Sequence, residues 1–256
     1  MSVKARKRFG QNFLVDQDMI HRIGDAIAPR EGELLIEIGP GRAALTSVLL
    51  ECGIDLVAVE LDRDLASRLE QQFSDQSRLT IFQGDALKTD FSALANGRPF
   101  RLVGNLPYNI STPLIFHLLQ LDTPPLDMHF MLQKEVVDRM AAGPGGRDFG
   151  RLSVMVQNRC TISPLLRVGP ECFDPRPKVE SGFVRMLPRA EPLSGHDLEP
   201  ALEKVVRQAF SLRRKTLRNS LAPLLSAQQI ESAGVNPSER AEQLDLEDFF
   251  SMARAL

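Results

Sequence analysis

The residues best equipped for chemistry in this 256-residue chain stand together at Asn105-Leu106-Pro107-Tyr108. Arg101-Leu102-Val103-Gly104 before them is a short apolar run ending in glycine, and Pro113-Leu114-Ile115-Phe116-His117-Leu118-Leu119 after them is an apolar run of helical length. That order predicts a strand-to-helix turn. Open α/β sheets bind their ligands at the carboxyl ends of their strands, where such a turn lies. An amide side chain, backbone carbonyls and an aromatic ring there offer an amino group on a planar base two acceptors and a surface to lie against. A plain surface turn that happens to carry a tyrosine is the alternative, and the neighbouring strand ends decide between the two.

Three further strand ends carry chemistry. Gly39-Pro40-Gly41 follows the apolar run Leu34-Leu35-Ile36-Glu37-Ile38. Glycine lets the backbone approach a ligand, and the next helix presents free N–H groups. A full dinucleotide fingerprint needs a third glycine at position 44, where this chain has Ala44. Glu60 ends the next strand, 21 residues after Gly39, the place from which a carboxylate takes a ribose diol. The third strand ends in Gly84-Asp85-Ala86, where Asp85 can accept from an adenine amino group. Gly39, Gly41, Glu60, Asp85 and Asn105 in this order point to a nucleoside cofactor. The absent third glycine and the Asn105 turn favour S-adenosylmethionine over a dinucleotide. An exocyclic amine would then be the nucleophile, with acceptors at the Asn105 side-chain oxygen and a carbonyl near Leu106 drawing its N–H bonds away from the ring plane.

These ends must be positioned by a run of βα units. Asp16 is a helix start, with Met19, Ile20, Ile23 and Ile27 on one face and Pro29 at the end. Strands are expected at residues 34–38, 56–60, 79–82, 101–104 and 126–132, with a helix over 43–52 and another beginning near Asp62. Helices at 134–141 and 151–158 are separated by glycine and proline at 143–146. Residues 161–168 and 183–187 are β-like and form a hairpin at a sheet edge. Beyond residue 190 only helical patterns appear, which divides the chain into an α/β domain over 1–189 and a helical domain over 190–256.

Composition sets the frame. The chain is 43% hydrophobic and 25% charged with net charge −2, an ordinary globular balance. It has no apolar run of the ~18 residues a membrane span needs, and a cytoplasmic location is expected. Cys52, Cys160 and Cys172 lack metal or disulfide spacing, as do the four histidines, so neither a metal nor a disulfide framework is indicated. The charge is segregated. Lys4, Arg6, Lys7 and Arg8 stand without an acid among them, and so do Arg207, Arg213, Arg214, Lys215 and Arg218, whereas residues 239–248 hold five acids against Arg240. Segregation can focus a positive field on one face of a near-neutral protein. The second cluster falls at helical spacing around Leu212 and Leu217, one face packing and the other reaching phosphates.

Taken jointly, several stretches resemble the KsgA/RsmA family of ribosomal RNA adenine dimethyltransferases over nearly the whole chain. They are Arg6-Lys7-Arg8-Phe9-Gly10-Gln11-Asn12-Phe13-Leu14, Glu37-Ile38-Gly39-Pro40-Gly41, Asn105-Leu106-Pro107-Tyr108-Asn109-Ile110-Ser111, Gly150-Arg151-Leu152-Ser153-Val154-Met155-Val156-Gln157, Pro177-Lys178-Val179-Glu180-Ser181 and Arg213-Arg214-Lys215-Thr216-Leu217-Arg218. The resemblance implies a Rossmann-like seven-stranded methyltransferase sheet with a small C-terminal all-helical domain. It adds Asn12, Leu14 and Ala86 to the cofactor residues and implies that Tyr108 and Phe173 sandwich the target base. The implied partners are small-subunit rRNA and the pre-assembled small ribosomal subunit, in which two adjacent adenosines of a hairpin are dimethylated. One departure stands out: the family usually has Leu-Gly where this chain has Arg42-Ala43, which puts a charge and a methyl beside the expected cofactor. Two other readings stay open, a methyltransferase-like RNA-binding assembly or transcription factor with little catalysis, and a large-subunit rRNA adenine methylase. A nicotinamide dehydrogenase lacks the third glycine and a placed His or Lys.

Overall fold

The computed structural model describes residues 11–212 and 214–256. Five parallel strands follow from the apolar runs: β2 (Leu34–Ile38), β3 (Asp55–Glu60), β4 (Leu79–Gln83), β5 (Phe100–Asn105) and β6 (Met128–Gln133). Before them come a two-residue strand β1 (Phe13–Leu14) and helix α1 (Gln17–Ile27). Asp16 caps α1 by accepting the Met19 N–H at 2.8 Å, and Met19, Ile20, Ile23 and Ile27 are on its buried face. Helices α2 (Ala44–Glu51), α3 (Arg63–Gln72), α4 (Phe91–Ala95) and α5 (Ser111–Leu118) connect the strands. Pro113 falls in the first turn of α5, where its missing N–H breaks no helical bond.

The main sheet has seven strands in the order β4-β3-β2-β5-β6-β9-β7, with β7 at Cys160–Val168 and β9 at Ser181–Pro188. β9 runs antiparallel to β6 and has β7 as its other neighbour at the sheet edge, so the expected edge pair is present, and it is the parallel part that places the chemistry. In register, Ile38 pairs with Val59 and with Gly104, Glu60 with Gln83, and Asn105 with Met131. Strands that end at the same level bring Gly39, Glu60, Asp85 and Asn105 to one edge. Gly104 permits this closeness, because a Cβ there would overlap the Ile38 carbonyl oxygen. A second, two-stranded sheet joins β1 to β8 (Phe173–Asp174), pairing Phe13 with Asp174 and Leu14 with Phe173. Strands of two residues have no periodicity, and the sequence predicts neither.

The chain forms two compact units. One takes the described residues up to Val137 together with Ser163–Pro188, and the other takes Asp138–Ile162 and Arg189–Leu256. The first is centred on a core that includes Ile20, Ile23, Leu35, Leu49, Val103 and Phe183. In the second, helices α7 (Arg151–Arg159), α8 (Glu199–Ala209), α10 (Ala227–Ser232) and α11 (Leu246–Arg254) surround Val154, Leu202, Val206, Ile230 and Phe249. The stretch 138–162, assigned from sequence to the α/β domain, therefore belongs with the helical unit. Its Phe149 and Val154 are buried in that unit's core, and the Arg159 guanidinium pairs with Glu199 at the start of α8. An apolar helical period shows that a face is buried but not against which core. Helix α6 (Lys134–Ala141) lies at the change between the units.

One other expectation needs correction. The described residues around Leu212 and Leu217 do not share one helix: Phe210–Leu212 form a 3-10 turn, and Leu217–Ser220 form the separate four-residue helix α9. Leu217 is buried, but Leu212 is 48% exposed. Of the cysteines, Cys160 and Cys172 are buried, and burial pushes the Cys160 thiol up to about 12, whereas Cys52 is exposed. Among the described residues, no helix is long and apolar enough to cross a membrane.

Candidate active site

A cavity of about 250 Å³ opens in the first unit at the carboxyl ends of the parallel strands. Asn12, Leu14, Gly39, Gly41, Glu60, Asp85, Ala86 and the whole of Asn105-Leu106-Pro107-Tyr108 line it. Sequence separation between these groups reaches almost a hundred residues, and the sheet register removes it.

The glycine turn and Glu60 are built as one piece. Gly39 and Gly41 have φ of 71° and 58°, in the left-handed region that favours glycine. The Gly39 N–H donates to the Val59 carbonyl at 2.9 Å, which ties the turn to β3. Glu60 is buried, and its two carboxylate oxygens accept the N–H groups of Gly41 at 3.2 Å and Asp62 at 2.9 Å. Burial pushes the Glu60 carboxyl above its ordinary range, partly offset by these two N–H groups. Each oxygen retains a lone pair for a ligand hydroxyl. Asp85 accepts the Leu87 N–H on one oxygen at 3.0 Å, which fixes the carboxylate at the cavity wall.

The Asn105 turn is also fixed from behind. Asn105 donates its side-chain N–H to the Asn12 carbonyl at 2.9 Å, and among the described residues nothing donates to its Oδ1. The Pro107 carbonyl accepts the Ile110 N–H at 3.1 Å, and the Tyr108 carbonyl accepts from the Ser111 hydroxyl at 3.1 Å. Leu106 donates its N–H to the Met131 carbonyl at 3.1 Å, while its own carbonyl takes no bond among the described residues. The Tyr108 hydroxyl lies 2.8 Å from Ser181 Oγ, so the half-buried ring is held at both ends, and burial raises its phenol pKa. Two free acceptors and an oriented ring therefore stand on one turn.

Phe173 does not join them. Its ring is 2% exposed and packs in the core with Leu14, Cys172 and Phe183, because β8 pairs with β1 and turns that side chain inward. Lys4, Arg6, Lys7, Arg8 and Arg213 lie outside the described residues. Arg207, Arg214, Lys215 and Arg218 are exposed on the helical unit, and none is in an ion pair among the described residues.

Three cavity residues carry chemistry that sequence inspection does not assign: Phe13, Glu37 and Leu61. Glu37 leaves a signal, a lone acid within an apolar strand. It is buried, it accepts the Thr46 hydroxyl proton at 2.6 Å, and burial with Glu60 nearby raises its pKa to about 7. Leu61 is 50% exposed, an apolar surface next to Glu60. The departure at Arg42-Ala43 acts differently from the expectation. Ala43 is 2% exposed and does not line the cavity; its cost lies in its backbone, at φ 67°. Arg42 does line the cavity, but its guanidinium is 2.8 Å from Asp174 and 4.3 Å above the Phe13 ring.

Comparison with known proteins places this geometry. A ribosomal RNA adenine dimethylase family model matches residues 2–256. The Ribosomal RNA small subunit methyltransferase A of Pseudomonas aeruginosa is 57% identical over 254 residues, covering 99% of this chain and 95% of that protein. Its counterpart in Marinobacter nauticus is 50% identical over 254 residues, covering 99% and 92%. Among solved structures, the 23S rRNA methyltransferase ErmE superposes with a TM-score of 0.75 at 25% identity, over 96% of this chain and 99% of that one. A dimethyladenosine transferase from Plasmodium falciparum gives 0.80 at 24% identity over 94% and 95%, which bears on the fold.

Proposed function

The chain belongs to the ribosomal RNA adenine dimethylase family, and on that premise we propose that its substrate is small-subunit rRNA, where it dimethylates N6 of two adjacent adenosines in a terminal hairpin during subunit assembly in the cytoplasm. It is an S-adenosylmethionine-dependent rRNA dimethyltransferase. The small-subunit assignment rests above all on the 57% identity, across 99% of the chain, to a relative named for that substrate.

The cavity fits the cofactor. Gly41 is a cradle that a side chain would fill, since a Cβ there would stand 2.9 Å from the Phe13 ring. Glu60 would take the ribose diol, and Asp85 the adenine amino group. Asn12, Leu14, Gly39 and Ala86 would complete the walls. Bound there, S-adenosylmethionine supplies a methyl group activated by its sulfonium.

The chain's own part is alignment. Asn105 Oδ1 and the Leu106 carbonyl would accept the two N–H bonds of the adenine amine, which localises its lone pair and stabilises the positive charge that develops on nitrogen. Tyr108, held by Ser181, would receive the face of the flipped base. Among the described residues no His or Lys lines the cavity, in keeping with a reaction that needs no strong base. Arg207, Arg214, Lys215 and Arg218 would hold phosphates outside the target, with Arg213 and the amino-terminal basic residues as further candidates, since structured RNA is read largely by shape and backbone.

Labelled methyl transfer to small subunits lacking the modification tests the proposal. Two N6-dimethyladenosines in the small-subunit RNA are expected. Label appearing instead in large-subunit RNA would overturn the substrate, and binding of subunits without transfer would favour an assembly factor.

A further inference from the structure

The β1–β8 ribbon forms part of the cavity wall through Phe13 and Leu14, and Leu14 and Phe173 seat it on the core. Besides the ladder itself, the Val15 N–H donates to the Cys172 carbonyl at 2.9 Å, and Asn105 holds the Asn12 carbonyl at 2.9 Å. These bonds secure the ribbon to itself and to the Asn105 turn, but none reaches the glycine turn. Arg42 does. Its guanidinium donates to Asp174 Oδ2 at 2.8 Å and lies 4.3 Å above the Phe13 ring. Asp174 and Phe13 face each other in the ribbon, so one side chain grips both strands at a single rung. The other side of the Phe13 contact is Gly41, whose absent Cβ would meet the ring at 2.9 and 3.0 Å. Phe13 is thereby enclosed by Gly41 and Arg42, successive residues of the turn.

We propose that Arg42 is a positioning residue that straps the β1–β8 ribbon to the glycine turn and so sets how slowly S-adenosylmethionine leaves the cavity. The inference rests on the cofactor reading of that cavity. Its physical basis is that a ligand seated between the turn and the ribbon escapes more readily when the two part, and Arg42 opposes the parting. The strap has two components with different sensitivities. The stack on Phe13, which is 7% exposed, is shielded from solvent, whereas Asp174 is 60% exposed at its side chain, so the ion pair is screened by salt.

Two measurements test this, one of them without cofactor. In the free protein, hydrogen exchange at the Val15 amide reports parting of β1 from β8, which Arg42 opposes by holding Phe13 and Asp174 at one rung. Arg42→Leu should speed it about tenfold, corresponding to ~1.4 kcal/mol, and Asp174→Asn, a change at an exposed side chain that leaves the core intact, should speed it by less. With cofactor, trapping of labelled S-adenosylmethionine should show release about tenfold faster from Arg42→Leu, with KM for the cofactor rising more than kcat falls. Salt should accelerate release from the wild type and do so less in Asp174→Asn. Exchanging the charges, Arg42→Asp with Asp174→Arg, should restore part of the retention that each single change loses. Val15 exchange within twofold of wild type in Arg42→Leu would overturn the strap. Failure of the wild type to take up S-adenosylmethionine in calorimetry would instead overturn the cofactor reading, with Val15 exchange still deciding the strap.

Discussion

The Asn105 side chain donates to the Asn12 carbonyl across 93 residues of sequence, at 2.9 Å. That bond turns the amide nitrogen to the ribbon and leaves Oδ1 as the end available to a ligand. The same residue can then serve two purposes, and substitutions separate them. Asn105→Ala removes both acceptor and tether and should lower kcat by about 10² or more, the scale of one preorganised polar group. Asn105→Asp keeps an oxygen toward the amine but cannot donate to Asn12, so its larger effect should fall on cofactor KM. Retention of half the wild-type kcat by Asn105→Ala would exclude the acceptor role.

Ala43 holds φ at 67° at the start of α2, where its N–H bonds to the Pro40 carbonyl at 2.9 Å and its own carbonyl takes the Ser47 N–H at 3.1 Å. The bonds hold a non-glycine residue in a conformation that costs roughly 1–2 kcal/mol. Ala43→Gly removes that cost and adds chain entropy to the unfolded state, for a net gain of about 0.5–1 kcal/mol. A urea midpoint raised with unchanged slope is the expected result. A lowered midpoint would mean that the buried methyl contributes more through packing than the backbone loses.

Glu37 gives a pH dependence with a definite sign. Its carboxyl ordinarily titrates at 4.5 and in the fold at about 7, so the folded protein binds the additional proton between these values. The stabilising contribution is complete below 4.5 and lost as pH rises through about 7. Glu37→Gln can still accept from Thr46 and has no charge to bury. Its stability advantage over wild type should be small near pH 4 and grow to roughly 3 kcal/mol by pH 8, at ~1.4 kcal/mol per decade. A pH-independent difference between the two proteins would show that Glu37 titrates alike in the folded and unfolded chains.

The strand ends are legible because each parallel strand is an apolar run that stops at a residue of another kind: Gly39, Glu60, Asp85, Asn105. What is not legible depends on contacts remote in sequence. By sequence Arg42 is a charge set against the cofactor, and only the fold brings Asp174, 132 residues away, to its guanidinium. Phe173 reads as a free aromatic ring until pairing with Leu14 places it in the core. Helix α7 has the same apolar period whichever unit it packs with, and Leu212 fits a helical face that the turn at Arg214 interrupts.

Arg214, Lys215 and Arg218 are exposed and surround the buried Leu217, so they can be changed without disturbing the core. Replacing all three by Ala should weaken binding to small subunits and reduce its logarithmic salt slope by up to about 0.7–0.9 for each phosphate no longer neutralised. Affinity for S-adenosylmethionine, measured by calorimetry, should stay the same, because none of the three lines the cavity. An unaltered salt slope would show these side chains to be merely solvated.

Tyr108 is the only tyrosine of a chain without tryptophan, so its ring is the sole source of tyrosine emission. It lines the cavity, and its hydroxyl is fixed to Ser181 at 2.8 Å. An adenine received on that ring should quench it, since stacking of a base on an aromatic side chain is worth about 1–3 kcal/mol and requires close contact. The titration uses a short hairpin carrying the adenosines, with a second hairpin bearing uridine at the target positions to correct for absorption. Quenching by the first and not the second is expected, and Ser181→Ala, which frees the hydroxyl, should weaken it by letting the ring turn. Phe173 is buried in the core, so Tyr108 is the aromatic ring of the pair that the fold leaves available to the base. Equal emission with the two hairpins, when both are shown to bind, would remove Tyr108 from the site and require the Phe173 core to open before any base could be stacked.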